Sequence, residues 1–276
     1  MTCARTADRT ICLQIVRSDI SQIGRNDILR SVDWRERDGL RWLGAELPGA
    51  RAAFSTRLGG VSTGPYTSLN LGILTGDRRE DVRENRHRLA AGLRLRLENV
   101  LIGRQVHGAD VARHDAASVP NAYAEPGPEL PPVDGQITDR PGLVPLVMVA
   151  DCLPVALAGP AGVGMIHCGW RGLAAGILAR GVEAVDASAA AIGPGIGPCC
   201  YEVGKEVLAA FEELGEGVSR GRMLDLTEVA RRLLDRAGIE SVVASGLCTK
   251  CNPELFFSHR RDGERTGRQA GLVWMD

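Results

Sequence analysis

Two of the chain's five histidines, His107 in "QVHG" and His167 in "IHCG", each close an apolar run next to a glycine, and Cys152 does the same inside "VADCLP". Neutral imidazoles and a thiolate are good zinc ligands. Three of them leave a fourth position for water or substrate, as at catalytic rather than structural zinc. The separations, 45 and then 15 residues, match no compact finger. The same atoms allow a second chemistry, in which Cys152 is a nucleophile and His107 or His167 its base. A plainer reading also stands at this point, because a buried cysteine is often only a small hydrophobe and a strand-end histidine only a hydrogen-bonding group.

Other reactive types are weaker signals. "CTKC" at 248–251 has the spacing of zinc or redox motifs, but no second pair lies at finger spacing and it ends a strand instead of opening a helix. That turn and the adjacent Cys199 and Cys200 are expected to be packed thiols. "GPGIGP" at 193–198 lacks the features of a Walker loop or a dinucleotide fingerprint and reads as a glycine-requiring turn, although its amides could approach an anion. Arg57, Arg171, Arg260 and Arg261 close or follow structured segments, and the planar guanidinium fork suits phosphate.

The elements that must position these groups read as follows. "RAAFSTR" is a strand, and "GGVSTGPYTSLNLG" a loop. A helix is expected over Asp81–Leu93, and "NVLIGRQVHG" is a strand ending in His107. "PNAYAEPGPELPPVDG" is a Pro-rich surface loop, its length that of a lid or rim. "LVPLVMVADCLPVALAG" and "VGMIHC" are nearly continuous apolar runs of the kind found in buried strands. Trp170 to Val185 is helical, with further helices at 203–214 and 227–237, the last capped by Asp225 with Thr227. "SVVASGLC" and "GRQAGLVWM" supply later strands. Residues 1–35 are expected to form a variable or flexible extension and 36–276 a single α/β domain, with mixed sheets in layers flanked by helices.

Charge is balanced, 33 basic against 34 acidic residues, which gives no electrostatic case for nucleic acid or an anionic membrane. Eight cysteines without a secretory segment fit a reduced, cytoplasmic protein with no transmembrane helix, and a small-molecule partner.

Taken in order, "FSTRLGGVSTGPYTSLNLG", "QVHG", "DGQITDRPG", "ADCLPVAL", "HCGWRGLAAG", "IGPGIGPCCYEVG" and "CNPELFFSHRRDG" followed by "RTGRQAGLVW" are highly specific. From about residue 36 to 276 the chain resembles the multicopper polyphenol oxidase or laccase-domain family, also called peptidoglycan editing factors and purine nucleoside phosphorylases. The resemblance implies a layered, cysteine-hydrolase-like α/β fold and a zinc site built from His107, Cys152 and His167. Two departures stand out: Cys168 replaces a typical alanine, and "SHRRDG" has no tyrosine before its arginines. Strand alternation points Cys168 away from His167.

The chemistry argues against a true laccase, since its copper centres need many histidines, commonly as His-x-His pairs, and this chain has five with no such pair. Cu2+ in the same site could give only weak oxidation. The resemblance implies instead phosphorolysis of adenosine, inosine and methylthioadenosine, together with adenosine deamination by zinc-activated water. Arg57, Ser68 and Asn70 are candidates for the phosphate or ribose side, with Arg171 and Arg261 as further substrate-binding groups. Asp134 of "VDGQ" is the carboxylate expected to move protons, with Asp151 a weaker choice. A cysteine-type amide hydrolase acting on peptidoglycan precursors is the alternative, and a non-enzymatic metal-binding protein a third reading.

Overall fold

The computed structural model describes residues 32–115, 123–124 and 130–276. Two short connections, each tight enough to need a residue with positive φ, build the first hairpins: β1 (Asp33–Arg37), β2 (Leu40–Leu47) and β3 (Ala50–Ser55) run antiparallel in sequence order. With β4 (Val100–Leu101), β7 (Val144–Val149) and β14 (Gln269–Met275) they form a six-stranded sheet in the order β1-β2-β3-β14-β7-β4. A second six-stranded sheet has the order β13-β10-β8-β9-β6-β5, from β5 (Val111–His114), β6 (Gly135–Thr138), β8 (Leu153–Gly159), β9 (Gly162–Cys168), β10 (Ala189–Ile192) and β13 (Ser241–Ala244). β11 (Ser219–Arg220) and β12 (Met223–Leu224) pair by themselves.

Side-chain alternation stacks these sheets. On β8, Val155 and Leu157 face helices while Ala156 and Ala158 face the first sheet. On β9, Ile166 and Cys168 face the helices while Val163 and Met165 look inward. The alanines of β8 and β10 keep the inter-sheet face shallow, and Phe54 fills it from β3. A Cβ on Gly193 would stand 2.3 Å from the Phe54 ring, so the start of "GPGIGP" is glycine because a ring packs against its backbone. Burying a side chain of that size contributes roughly 1.5–3 kcal/mol.

Helix α1 (Arg79–Leu93) covers the outer face of the first sheet through Leu89 and Leu93. Helices α2 (Trp170–Ala174), α3 (Ile177–Val185) and α5 (Leu226–Arg236) cover the second. α4 (Lys205–Ala209) and α6 (His259–Asp262) are single turns. The result is four layers, helix, sheet, sheet, helix, in agreement with the expected α/β class. The α5 cap is as expected: Asp225 accepts a hydrogen bond from the Glu228 amide.

Several boundaries differ from expectation. Asp33–Arg35 belong to β1, so the first sheet starts inside the stretch read as an extension, most of which lies outside the described residues. Half of the Pro-rich loop likewise falls outside them. Only Val100 and Leu101 of "NVLIGRQVHG" are strand, and His107 sits in a loop. The helix expected from Trp170 to Val185 breaks at Gly176, which takes φ +84. The run "LVPLVMVADCLPVALAG" is two strands in different sheets, because the chain crosses the sandwich at Ala150–Cys152.

Candidate metal centre and adjoining cleft

Cys152 occupies that crossing. Asp151 before it has φ +95, a conformation uncommon for a residue with a Cβ. It is held there from both sides, because its carboxylate accepts hydrogen bonds from the Thr249 hydroxyl at 2.6 Å and the Arg260 amide at 2.7 Å. His167 is the next-to-last residue of β9, on the inter-sheet side, and is buried. Cys168, one residue on, lies in the helix-side core, as alternation requires. His107 lies in an exposed loop with φ +61.

One residue organises both histidines. Asp134 is fully buried and its Oδ2 accepts the amides of Val106 and Gly108 at 3.0 and 2.8 Å. Its Oδ1 accepts the His107 amide at 2.9 Å and the His167 Nδ1–H at 2.7 Å. The Asp134 carbonyl also accepts the His167 amide. Occupying Nδ1 of His167 leaves Nε2 for the centre, the usual arrangement of a histidine ligand backed by a carboxylate. The two imidazole rings meet edge to face with centroids 4.9 Å apart.

Donor atoms of His107, Cys152 and His167 all lie within 4.8 Å of one another, and together they could hold a metal ion. The fit is reinforced by Gly169, where a Cβ would stand 2.9 Å from His107 Cδ2 and 3.1 Å from Cys152 Sγ. The missing side chain keeps the space beside the donors open. Burial pushes the Cys152 thiol up, but the field of His167 and the hydrogen bonds of both histidines outweigh it and bring it down to about 6. Burial opposes charge on His167 in turn, and Cys152 with Asp134 raises it to about 9. Asp134 is held below its ordinary value because its hydrogen bonds outweigh burial.

Beside the centre lies a cleft of about 500 Å³ whose lining includes Trp170, Arg171, Tyr201, Arg222 and Arg260. Trp170 follows directly on Gly169. Tyr201 feels both Cys152 and Arg260, and burial is the main reason its hydroxyl is pushed up to about 12. Arg171 lies over the Trp170 ring and Arg260 over the Tyr201 ring, with the guanidinium carbons 4.5 and 5.0 Å from the centroids. These pairs give the cleft cationic and aromatic walls, which Glu202 and Glu206 share, Glu202 pairing with Arg222 at 3.1 Å.

Not every expected residue faces this space. Asp134, read as a proton carrier, has four donors on its two oxygens and no exposure, which places it behind the histidines and not against a substrate. Asn70 is fully buried, its amide nitrogen donating to Thr75 and Asp77 and its oxygen accepting from the Gly72 and Arg268 amides. It braces the loop and has no group left for ribose. Ser68 bridges the Arg57 carbonyl and the Gly60 amide. Arg261 is drawn into the carbonyls of Thr249, Lys250 and Phe256 and the carboxylate of Asp262. Arg57 binds the carbonyls of Thr67 and Pro253 and lies over the Phe257 ring. Burial, then repulsion from Arg261, lowers its affinity for its proton. Of the four arginines singled out from sequence, Arg171 and Arg260 line the cleft and Arg57 and Arg261 do not.

Arg222 and Tyr201 were not singled out from sequence, and neither carries a local signal beyond its type. Arg268 was also missed. Burial lowers its pKa against the opposing fields of Cys152 and Asp151, which puts it near the crossing.

Comparison with known proteins places this arrangement in a family. The sequence model described as multi-copper polyphenol oxidoreductase laccase matches residues 51–276. Purine nucleoside phosphorylase YlmD of Geobacillus stearothermophilus is 38% identical over 256 residues, covering 84% of this chain and 93% of the relative. Purine nucleoside phosphorylase YfiH of Escherichia coli is 39% identical over 240 residues, covering 82% and 94%. The crystal structure of Geobacillus stearothermophilus YlmD superposes with a TM-score of 0.80 at 37% identity, over 90% of this chain and 99% of that one. A Bacillus licheniformis hypothetical protein YfiH gives 0.80 at 33% identity, over 88% and 99%.

Proposed function

Because the chain belongs to the laccase-like multi-copper polyphenol oxidoreductase family, whose relatives include named purine nucleoside phosphorylases, we propose that it is a zinc-dependent purine nucleoside enzyme of the cytoplasm. It would cleave adenosine, inosine and methylthioadenosine with phosphate to the free base and the (methylthio)ribose 1-phosphate, and deaminate adenosine. The observation that carries the reading is the convergence of His107, Cys152 and His167 beside a cleft walled by Arg171, Arg222 and Arg260.

In this reading His107, Cys152 and the Nε2 of His167 hold the metal. Zinc held by these residues would supply Lewis-acid polarisation. Arg171 and Arg260 draw phosphate into the cleft and neutralise it while the bond from C1′ to the purine nitrogen breaks and the bond from C1′ to phosphate oxygen forms. Trp170 and Tyr201 offer aromatic faces to the purine or ribose. Asp134 acts as a positioning residue that fixes the tautomer of His167 and the loop of His107.

Cys152, His167 and Asp134 also form a thiol, imidazole and carboxylate series, the arrangement of a cysteine hydrolase, which favours amide hydrolysis of peptidoglycan precursors as a second reading. A hydrolase needs one imidazole at its sulfur. The second, His107, is surplus there and is accounted for by a metal, which makes zinc chemistry the better reading. The copper-dependent oxidation suggested by the family description would be a weak side activity of the same three ligands.

The test is to incubate zinc-quantified protein with adenosine, inosine or methylthioadenosine, with and without phosphate. Base and sugar phosphate should appear only with phosphate, inosine should form from adenosine without it, and both should cease on chelation and return with zinc. The reading fails if zinc-loaded protein yields neither product while Cys152→Ala abolishes cleavage of a peptidoglycan precursor.

A further inference from the structure

The second group of donor atoms lies outside the cleft. The loop after β10 carries "GPCC" and the segment after β13 carries "CTKC", two stretches about fifty residues apart that are weak signals separately. The fold brings them side by side. Gly195 bridges to Cys248 in parallel, the Thr249 amide donates to the Gly195 carbonyl at 2.9 Å, and the Gly195 amide donates to the Leu247 carbonyl. A tight turn after Gly197, with the amides of Cys200 and Tyr201 both donating to its carbonyl, projects the adjacent cysteines toward the same point.

The outcome is that the sulfurs of Cys199, Cys200, Cys248 and Cys251 all lie within 4.8 Å of one another. Cys251 Sγ stands 3.5 Å from that of Cys199 and 3.4 Å from that of Cys200. Four thiolates at about 2.3 Å from a tetrahedral zinc have sulfurs about 3.8 Å apart, so the group already has the dimensions of such a site. Disulfides would sort the sulfurs into pairs, whereas here Cys251 is nearly equidistant from two partners. The Gly197 amide also donates to Cys248 Sγ at 3.2 Å, which fixes that sulfur toward the group. A Cβ on Gly197 would stand 3.1 Å from Cys248 Cβ and 3.4 Å from Cys199 Sγ, so the loop's closeness depends on that glycine.

We propose that Cys199, Cys200, Cys248 and Cys251 form a second, structural zinc site with four sulfur ligands, separate from the His107, Cys152 and His167 centre. Zinc displaces the thiol protons to solvent and undergoes no redox change, and a closed four-sulfur set leaves no open position for substrate. Its role follows from what it joins. The loop holding Cys199 and Cys200 leads directly into Tyr201 of the cleft. The carbonyls of Thr249 and Lys250 hold Arg261, and the Thr249 hydroxyl holds Asp151 next to Cys152. The zinc would staple the cleft wall to the crossing that carries Cys152.

The experiment counts metal on the full chain purified under reducing conditions, by elemental mass spectrometry against protein concentration. Wild type should hold about two zinc ions, His107→Ala about one, and Cys251→Ala about one, with Cys251→His restoring the second because imidazole is also a zinc ligand. Cobalt exchanged into His107→Ala should retain intense tetrahedral and sulfur-to-metal absorption, a readout that survives even if Cys251→Ala does not fold. The proposal is overturned if wild type holds a single zinc that His107→Ala removes entirely, or if cobalt in His107→Ala gives no sulfur-to-metal band. It is equally overturned if peptide mapping finds these cysteines joined as disulfides in the freshly isolated protein.

Discussion

Replacing Asp134 by asparagine changes one atom and almost no volume, yet the geometry predicts a large effect. Each carboxylate oxygen accepts two hydrogen bonds, from the Val106 and Gly108 amides on one side and from the His107 amide and His167 Nδ1–H on the other. An asparagine must turn its NH2 toward one pair. Facing Val106 and Gly108 it leaves two amide donors opposed in a fully buried place, at about 1–3 kcal/mol each, or about 2–6 kcal/mol in all. Facing His167 it opposes the His107 amide and also favours the tautomer with the proton on Nε2, the nitrogen needed by the metal. Loss of such an outer partner typically weakens metal binding about 10–100-fold, equivalent to about 1.4–2.7 kcal/mol. Zinc affinity is measured by competition with a chromophoric chelator and stability by urea unfolding of the metal-free protein. The expected result is a loss in both. An Asp134→Asn protein that binds zinc as tightly as wild type and unfolds at the same urea concentration refutes the role assigned to this carboxylate.

Three further predictions separate metal, scaffold and substrate functions. Gly169→Ala is tolerable to the backbone, since its φ is −81°, but the new methyl meets His107 and Cys152, so zinc affinity at that centre should fall at least about 10-fold while the unfolding midpoint of the metal-free protein moves little. Asn70→Ala strips four hydrogen bonds from a buried position and should cost about 2–4 kcal/mol in chemical denaturation, with KM for nucleoside and phosphate unchanged in the folded fraction; a raised KM would return it to the substrate site. Arg171→Ala should raise KM for phosphate about 10-fold or more with stability within about 0.5 kcal/mol of wild type, and an unchanged KM would remove that residue from the anion path.

The sequence by itself determined the classes of chemistry and part of their placement. His107, Cys152 and His167 stand out through residue type and position at the ends of apolar runs, and period-two alternation alone separates His167 from Cys168, because it is a property of the extended chain and needs no partner. The ordered motifs carry the family, and the cap at Asp225 is local enough to be read directly. What only the tertiary structure decided depends on contacts between residues far apart in sequence. "LVPLVMVADCLPVALAG" has the hydrophobicity of one buried run, but its two halves are hydrogen-bonded to different sheets, and Cys152 owes its place to that crossing. Asn70 and Arg261 have the chemistry of ligand-binding side chains, yet their hydrogen-bonding groups are taken by backbone and carboxylates brought alongside by folding. Cys199 and Cys200 meet Cys248 and Cys251 for the same reason: spacing along the chain carries no record of which loops a sheet sets next to each other.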